Sequence, residues 1–274
     1  MVIDINNTWL PPTSSVKTHL SAGKHVLEVH GSRGDAPTVG WRLADGTTEF
    51  SSPVAEGLDY TVFAGTADDV VSSFRNLTGK APQIPEWALG YVHCRERYKS
   101  QDDILENART FVEKNIPVGV IVQDWQWWGN TGWNSMEFDA ENYPNPAELV
   151  DQLHDMGMRF MLSVWSKVDR NSNLGKELEA RGYYIDGTDW LDFFNPEATS
   201  FYWKNFSDRL VSLGIDAWWF DATEPENDDL VGRTVGKDEL PGEIFRNVYP
   251  IKVVNTMYNG LKQARNGEEP LILT

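Results

Sequence analysis

Two aspartates in this sequence each follow an apolar run and stand beside tryptophan. Asp124 comes after the run at 118–122, and Asp221 comes directly after the run at 217–220. A carboxylate so placed can attack the anomeric carbon of a sugar, and its charge stabilises an oxocarbenium-like transition state. Attack followed by hydrolysis would retain the sugar's configuration. The alternative is that each aspartate only caps the next helix, but two such residues beside tryptophan favour the chemical role.

Tryptophan is the second unusual feature, because the chain has 12 of them. Aromatic rings bury much apolar area, so any one tryptophan can be explained as an anchor of the core or of a loop. A saccharide site has another use for them, since sugar rings present apolar C–H faces and need aromatic platforms beside carboxylates. Most of the tryptophans gather at Trp125, Trp127, Trp128, Trp133, Trp165, Trp190, Trp203, Trp218 and Trp219.

Short apolar runs and segments of helical period must position these residues. The two alternate from Trp87 onward, as expected for a parallel sheet with right-handed helical crossovers. Five strands and about four helices predict an α/β fold, the first half of a (β/α)8 TIM barrel. The predicted strands are 88–92, 118–122, 160–164, 217–220 and 271–273. Chemistry in such a barrel sits at the carboxyl ends of the strands, so Asp124, Trp165 and Asp221 are expected at one rim.

Three helices can be placed from their caps and apolar faces. The first follows Ser100 and Asp103, which have capping-box spacing. The second starts at Asn195-Pro196, a cap followed by proline at the first helical position. The third precedes the last strand. The predicted apolar faces are Ile104, Leu105, Ala108, Phe111 and Val112 in the first helix and Ile251, Val254, Tyr258 and Leu261 in the third.

The first residues, up to about 80, lack a helical period. They show short alternating runs, at 25–30 and 60–63, separated by glycine, proline, aspartate and serine, which predicts a β-rich region of sandwich type. Pro82 and Pro85 then disfavour both helix and sheet. The stretch 81–85 is therefore predicted as the linker before the barrel.

The segment Trp218-Trp219-Phe220-Asp221-Ala222-Thr223-Glu224-Pro225 strongly resembles the nucleophile motif of glycoside hydrolase family 31, particularly its α-xylosidase branch. The resemblance runs from about Pro53 to Thr274 and includes 87–91, 95–100 and 192–196. It implies that Asp221 is the catalytic nucleophile and that Asp124 accepts hydrogen bonds from sugar hydroxyls in the −1 subsite. It also implies that Trp165 and Trp219 line that subsite and that Glu224 supports the nucleophile's loop.

The resemblance also divides the chain into domains. Residues 1–52 are similar to the tail of a PA14-type β-module, 53–80 would finish the family's N-terminal β-domain, and 81–274 would be the N-terminal half of the catalytic barrel. In the family the acid/base carboxylate lies on a later strand, so the chain is expected to be a fragment that is inactive alone. Glu224 and Glu226 follow Asp221 too closely to be its partner across a cleft.

The expected activity is hydrolysis of α-xylosyl or α-glucosyl oligosaccharides through a covalent glycosyl-aspartate. Xylose lacks the exocyclic CH2OH of glucose, so a bulky side chain near that position would favour xylosides, and Trp125 is the candidate. Two other interpretations stay open. One is a non-catalytic carbohydrate-binding protein, which sequence beyond Thr274 would decide; the other is a half-barrel with an open sheet edge and no intact site, which a thermal melt would reveal.

Charge and composition argue against other classes of partner. The net charge of −17, from 41 acidic and 24 basic residues, repels phosphate backbones and anionic lipids, so neither nucleic acid nor a membrane is expected as a partner. The single cysteine, Cys94, cannot form an internal disulfide. The histidines do not cluster and the retaining mechanism needs no metal, so no cofactor is expected. No targeting signal is visible, and a periplasmic or extracellular location would suit a longer parent.

Overall fold

The structure, a computed structural model, describes residues 61–226 and 229–274 and the backbone of three short strands near the N-terminus. Contacts divide the chain into two units, Met1–Pro53 and Val54–Thr274. In the first unit an antiparallel sheet has the order β2-β1-β3. Its strands are β1 (Val2–Ile5), β2 (Thr8–Leu10) and β3 (Leu27–His30). Strand β3 lies in the run predicted at 25–30, whereas the PA14-like assignment falls mostly outside the described residues and stays a prediction, as do the domain bounds.

The second unit is built on a parallel sheet with the order β10-β7-β6-β5-β4, the partial barrel that the sequence predicts. Every pair of neighbouring strands in this sheet is parallel. The strands of this sheet are β4 (Val92–Cys94), β5 (Val120–Gln123), β6 (Arg159–Val164), β7 (Ala217–Phe220) and β10 (Leu271–Leu273). Between β7 and β10 along the chain, β8 (Thr234–Val235) and β9 (Leu240–Pro241) form a separate antiparallel pair.

One helix precedes β4, and the others occupy the connections between these strands. They are α1 (Ala67–Thr78), α2 (Gln101–Glu113), α3 (Pro146–Asp155), α4 (Asn173–Ala180), α5 (Pro196–Arg209), α6 (Gly242–Phe245) and α7 (Tyr249–Ala264). The predicted caps are confirmed, because Ser100 Oγ accepts from Asp103 N at 3.1 Å and Asn195 Oδ1 accepts from Glu197 N at 3.0 Å. None of the helices among the described residues is long and apolar enough to cross a bilayer.

The two faces of the parallel sheet carry different side chains, as the strand period of two requires. The outer face packs against the helices through large residues, and the rings of Phe206 on α5 and Trp218 on β7 are 4.4 Å apart between centroids. The inner face has a separate small core made by Val120, Val122, Met161 and Ala217. Helices on one face and an apolar interior on the other are the arrangement of a barrel wall.

The prediction of a β-rich region through residue 80 is wrong over residues 61–78. Residues 61–64 are not in a strand, and α1 follows them. A capping box starts this helix: Asp69 N donates to Thr66 Oγ1 at 3.3 Å, and Thr66 N donates to Asp69 Oδ2 at 3.0 Å. The four-residue alternation at 60–63 was too short to outweigh that start signal, because strand and helix cannot be distinguished in so short a run.

The first barrel strand is also shifted from its predicted place at 88–92. A 3-10 turn occupies Glu86–Leu89, with Ala88 N donating to Pro85 O at 3.0 Å, and β4 starts only at Val92. Proline fixes the φ angle that a turn of this type needs, so Pro85 favours the turn over a strand. The apolar residues at 88–91 were therefore misassigned.

Helix α7 buries only Leu261 of the four residues predicted for its apolar face. Its buried residues are Tyr249, Val253, Met257 and Leu261, whereas Ile251 is exposed. The observed spacing of four fits one helical stripe, and proximity to α5 selects it. A Cβ on Gly260 would lie 2.5 Å from the Trp203 ring of α5, so only glycine allows the two helices to approach this closely.

Candidate active site

Asp124, Trp165 and Asp221 lie just beyond the carboxyl ends of β5, β6 and β7, on the rim where the sequence places them. Each is two residues beyond an inner-face residue of its own strand, so the strand alternation directs all three toward the inside of the barrel. Those preceding residues are Val122, Ser163 and Trp219. A parallel sheet thus brings to one rim three residues that are up to 97 positions apart in the sequence.

The backbone turns sharply directly after Asp221. Its N–H donates to Val164 O at 3.0 Å, which continues the β6–β7 ladder. The next residue, Ala222, has a φ of 43°, in the left-handed region that an alanine rarely adopts. The half-buried Asp221 carboxylate accepts from Ala222 N at 2.9 Å, and within 61–226 and 229–274 it has no other hydrogen bond and no ion pair. Its second oxygen is therefore available to a ligand.

Asp124 has a similar local setting at the end of β5. Its Oδ1 accepts from Trp125 N at 2.7 Å, and Gln126 then has a φ of 63°. Burial raises the pKa of Asp124 above its usual value; the bond from Trp125 N opposes this change, and the charge of Asp221 adds to it. Asp221 is therefore close enough for its charge to act on Asp124.

A buried hydrogen-bond network fixes the end of β5. The Gln123 Nε2 atom donates to Asp124 O at 2.8 Å. The Tyr143 hydroxyl donates to Gln123 Oε1 at 3.1 Å and to Tyr98 O at 2.8 Å. Since all three side chains are buried, the network holds the backbone that carries Asp124 with little freedom.

Four tryptophans form a continuous aromatic wall beside this rim. The Trp133 ring lies 5.7 Å from Trp125, 5.1 Å from Trp128 and 5.2 Å from Trp165. The carbonyl of Trp165 accepts from Asn134 Nδ2 and from the Tyr202 hydroxyl, which fixes its backbone. Such edge-to-face and tilted contacts make a rigid apolar surface.

Trp133 separates two clefts. One has a volume of about 300 Å³ and is lined by Trp133, Trp165, Lys167, Asp169, Asp189, Trp190 and Glu226. The other, of about 280 Å³, is lined by Arg97, Lys99, Gln126, Trp128, Gly129, Asn130, Trp133, Asp139, Asn142 and Tyr143. The first is at the lower end of the size range of small-ligand sites, and the second is slightly smaller. Both combine aromatic rings with polar groups, but neither is lined by Asp124 or Asp221.

The other predicted site residues are placed differently. Trp219 lies on the inner face, partly buried against the small core. Glu224 is exposed, and in the described ranges its side chain has no hydrogen bond or ion pair that would support the loop after Asp221. That loop is instead tied by Lys167, whose Nζ is 3.8 Å from Glu226 Oε2, and by Trp190, whose Nε1 donates to Asp229 Oδ2 at 2.8 Å.

Comparison with known proteins identifies the barrel. A family model described as the Glycosyl hydrolases family 31 TIM-barrel domain matches residues 81–274, more than half of the chain. The chain belongs to glycoside hydrolase family 31. Among relatives, it is 37% identical to the "Alpha-xylosidase" of Saccharolobus solfataricus over 224 residues, which cover 78% of the chain and 30% of that protein. It is 30% identical to "Alpha-glucosidase 2" of Bacillus thermoamyloliquefaciens over 248 residues, 80% of the chain and 31% of that protein.

Solved structures agree with this family assignment. The family 31 alpha-xylosidase of Xanthomonas citri has a TM-score of 0.65 at 30% identity and covers 75% of the chain and 24% of that structure. An alpha-xylosidase from a soil metagenome, complexed with xylose, has a TM-score of 0.64 at 28% identity. The match covers 72% of this chain and 30% of that structure. The chain thus spans less than a third of the length of these family 31 proteins.

Two residues of the site were not singled out from the sequence. Trp133 was counted only among the tryptophans, yet it contacts three of them and borders both clefts. It comes from the long loop after β5, where no strand period could indicate its direction. Ser163 is a polar residue inside an otherwise apolar run, and that exception was the available signal.

Proposed function

We propose that an active family 31 polypeptide containing this chain hydrolyses α-xylosides with retention of configuration, and that Asp221 is its nucleophile. The observation that carries the proposal is a pair of incompletely partnered carboxylates, Asp124 and Asp221, on the inner rim beside a wall of tryptophan. A carboxylate needs a free oxygen to attack carbon. Among the described contacts only Oδ1 of Asp221 accepts a hydrogen bond, so Oδ2 can attack.

In the first step, an Asp221 oxygen forms an ester bond to the anomeric carbon while the bond to the leaving oxygen breaks. The leaving oxygen takes a proton from a second carboxylic acid, which in retaining enzymes lies about 5 to 5.5 Å from the nucleophile. Water then hydrolyses the ester, and the second group accepts a proton from that water. Two inversions at the same carbon give net retention.

Asp124 serves this reaction as a hydrogen-bond acceptor. A half-buried, ionised carboxylate binds sugar hydroxyls strongly, and these bonds tighten as the ring distorts toward the transition state. The aromatic wall takes the apolar face of the sugar. Glu224 and Glu226 are both exposed and lie on the loop that follows Asp221, so neither is proposed as the proton donor.

The substrate assignment rests on similarity and on one side chain. Proteins named alpha-xylosidase and alpha-glucosidase are both similar to this chain, and the 37% identity is to an alpha-xylosidase. Trp125 is only partly buried and its ring packs 5.7 Å from Trp133, so a bulky ring stands next to the carboxylate rim. We expect it to restrict the space for an exocyclic CH2OH, which favours xylose by about 1 to 3 kcal/mol.

The test uses aryl α-xyloside and aryl α-glucoside with an active polypeptide that contains residues 1–274. Proton NMR of the first-formed sugar should show the α anomer before it mutarotates, and kcat/KM should be higher for the xyloside. A first-formed β anomer would reject the nucleophile role of Asp221. Binding of both sugars without turnover would favour a carbohydrate-binding protein instead.

A further inference from the structure

Ser163 is a buried hydroxyl that the described contacts leave without a partner. It lies in β6 between apolar neighbours and is fully buried, and its Oγ has no hydrogen bond within the described residues. Buried hydroxyls are nearly always hydrogen-bonded, so an exception on the inner face of an active-site barrel calls for an explanation. Its backbone is fixed, because Trp127 Nε1 donates to Ser163 O at 2.8 Å.

The strand register places this hydroxyl beside Asp124. Gln123 on β5 pairs with Leu162 on β6, so the next residues along the two strands are Asp124 and Ser163. On its other side, Ser163 pairs with Trp219 of β7, two residues before Asp221. The serine therefore lies between the strands that carry the two rim carboxylates, with its side chain on the same inner face.

The charged and titratable neighbours of Asp124 oppose its ionisation. Asp221 approaches from the end of β7, and Glu96 from the loop after β4; both carry negative charge, and burial acts in the same direction. Cys94, the last residue of β4, has a thiol whose pKa is raised by burial and by the charge of Asp124. Two donors act the other way: the Trp125 N–H, and the Ser163 hydroxyl, which is near enough to lower the pKa of Asp124 although its Oγ does not meet hydrogen-bond geometry with any described residue. The first is already engaged.

We propose that Ser163 is a positioning residue for the proposed glycosidase site: its hydroxyl donates a hydrogen bond to the Asp124 carboxylate and keeps that group ionised and oriented to accept hydrogen bonds from the sugar. This inference rests on the proposed function, because it assigns Asp124 to sugar binding. It explains why the inner face of β6 changes from apolar Met161, which packs with Val122 and Ala217, to a serine at the level of Asp124. A serine that merely fills space would leave the ionisation of Asp124 unchanged on removal.

The test compares Ser163→Ala with Ser163→Thr, which keeps the hydroxyl, and with Ser166→Ala as a matched control. Ser166 is also fully buried with an unpartnered Oγ among the described residues, but it lies beyond the end of β6. Xylose binding to the active polypeptide is followed by tryptophan fluorescence from about pH 3.5 to pH 8, with a thermal melt of each variant. We expect Ser163→Ala to move the acid limb of binding up by about one pH unit, since one hydrogen bond to a charged group has that order of effect. Ser163→Thr and Ser166→Ala should keep the wild-type limb.

Several results would overturn the inference. An unchanged acid limb in folded Ser163→Ala would do so, and so would a loss of affinity that is equal at every pH, which is the mark of a merely structural role. If Ser163→Ala does not fold, Ser163→Cys provides the measurement, because a thiol is a weaker donor of similar size and should give a smaller shift in the same direction. Absence of such a shift would count against Ser163.

An Asp124→Asn variant separates this inference from the proposed function. If Asp124→Asn loses the acid limb while Ser163→Ala retains it, the serine inference fails and the sugar site stands. If Asp124→Asn keeps the wild-type affinity and limb, or if xylose does not bind at any pH, the assignment of Asp124 to sugar binding fails and the inference about Ser163 fails with it.

Discussion

Strand β7 has an aspartate at each end, and the two aspartates differ in their partners. At the amino end, Asp216 Oδ2 lies 2.7 Å from His154 Nε2 and accepts from Phe160 N at 2.9 Å, while Arg159 Nη1 is 3.5 Å from Oδ1. At the carboxyl end, Asp221 accepts from Ala222 N alone among the described contacts. Both oxygens of the aspartate at the amino end thus have partners, whereas one oxygen of the aspartate at the carboxyl end has none among the described contacts.

The difference shows how a barrel separates stability from chemistry. A carboxylate whose oxygens are occupied by fixed donors holds secondary structure together, and one with a free oxygen can bind or attack a ligand. Barrel enzymes place their chemistry at the carboxyl ends of the strands, whereas the amino ends serve stability. Substitutions at the two ends should therefore change different measurements.

The largest effect is expected from Asp221→Asn in an active polypeptide. Because an amide is a far weaker nucleophile than a carboxylate, kcat should fall about a thousandfold or more. The thermal melt should stay close to that of the wild type, since the side chain makes one described hydrogen bond. Retention of more than about a tenth of the wild-type rate would contradict the nucleophile role.

Asp124→Ala should follow in size. It removes a charged acceptor from the sugar site, and hydrogen bonds to charged groups contribute about 1.5 to 3 kcal/mol each. Loss of about 3 kcal/mol of transition-state stabilisation should lower kcat/KM about a hundredfold or more. Asp139→Ala is the matched control. Asp139 lies on the same loop but is held by Glu141 N and Asn142 Nδ2. Equal and small effects of both variants on kcat/KM would mean that Asp124 does not contact the sugar.

At the amino end, Asp216→Ala should lower the free energy of unfolding by about 2 to 3 kcal/mol, because it leaves His154 and Phe160 N without their acceptor. The kcat of the folded molecules should not change. Asp208→Ala, which removes an exposed pair with Lys204, is the control and should change stability by less than about 1 kcal/mol. A loss of kcat in folded Asp216→Ala would undo the contrast between the two ends of β7.

The smallest effect concerns pH and stability. Burial and the charge of Asp221 raise the pKa of Asp124 in the folded chain. The folded state then holds a proton that the unfolded state releases, so Asp124 makes the protein less stable as pH rises above the ordinary aspartate pKa of about 3.9. The melting temperature of Asp124→Asn should therefore exceed that of the wild type by more at pH 7 than at pH 4. If the melting temperature changes equally between pH 4 and pH 7 in the variant and in the wild type, burial of Asp124 has no such cost.

The sequence was most informative where strands are buried on both faces. Strand β7 has the predicted bounds and β6 differs by one residue, because buried parallel strands are near-continuously apolar. Strand β10 also has its predicted bounds, although it is an edge strand and Leu273 is exposed. The rim position of Asp221 followed from β7, and that of Asp124 followed from β5, whose predicted run at 118–122 overlaps the observed strand Val120–Gln123. Strand β4 is largely exposed, so its apolar signal was weak, and a turn after Pro85 occupies the start of the segment predicted as a strand.

Features that depend on contacts between distant residues could not be predicted. The buried face of α7 depends on its approach to α5 at Gly260, which no local period reveals. The aromatic wall depends on Trp133, which a loop carries to Trp165. Partners decide the role of an aspartate as well: the saturation of Asp216 by His154 joins residues 62 positions apart.

The most direct test of the account is covalent trapping with a fluorinated α-xylosyl fluoride. Asp221 should displace fluoride and form an ester to the anomeric carbon, and the ring fluorine should slow hydrolysis of that ester enough for it to accumulate. Mass spectrometry of the digested polypeptide should then find one label, on Asp221, and none on Asp216 at the other end of β7. A label on Asp124 or on any other carboxylate, with Asp221 unmodified, would contradict the account.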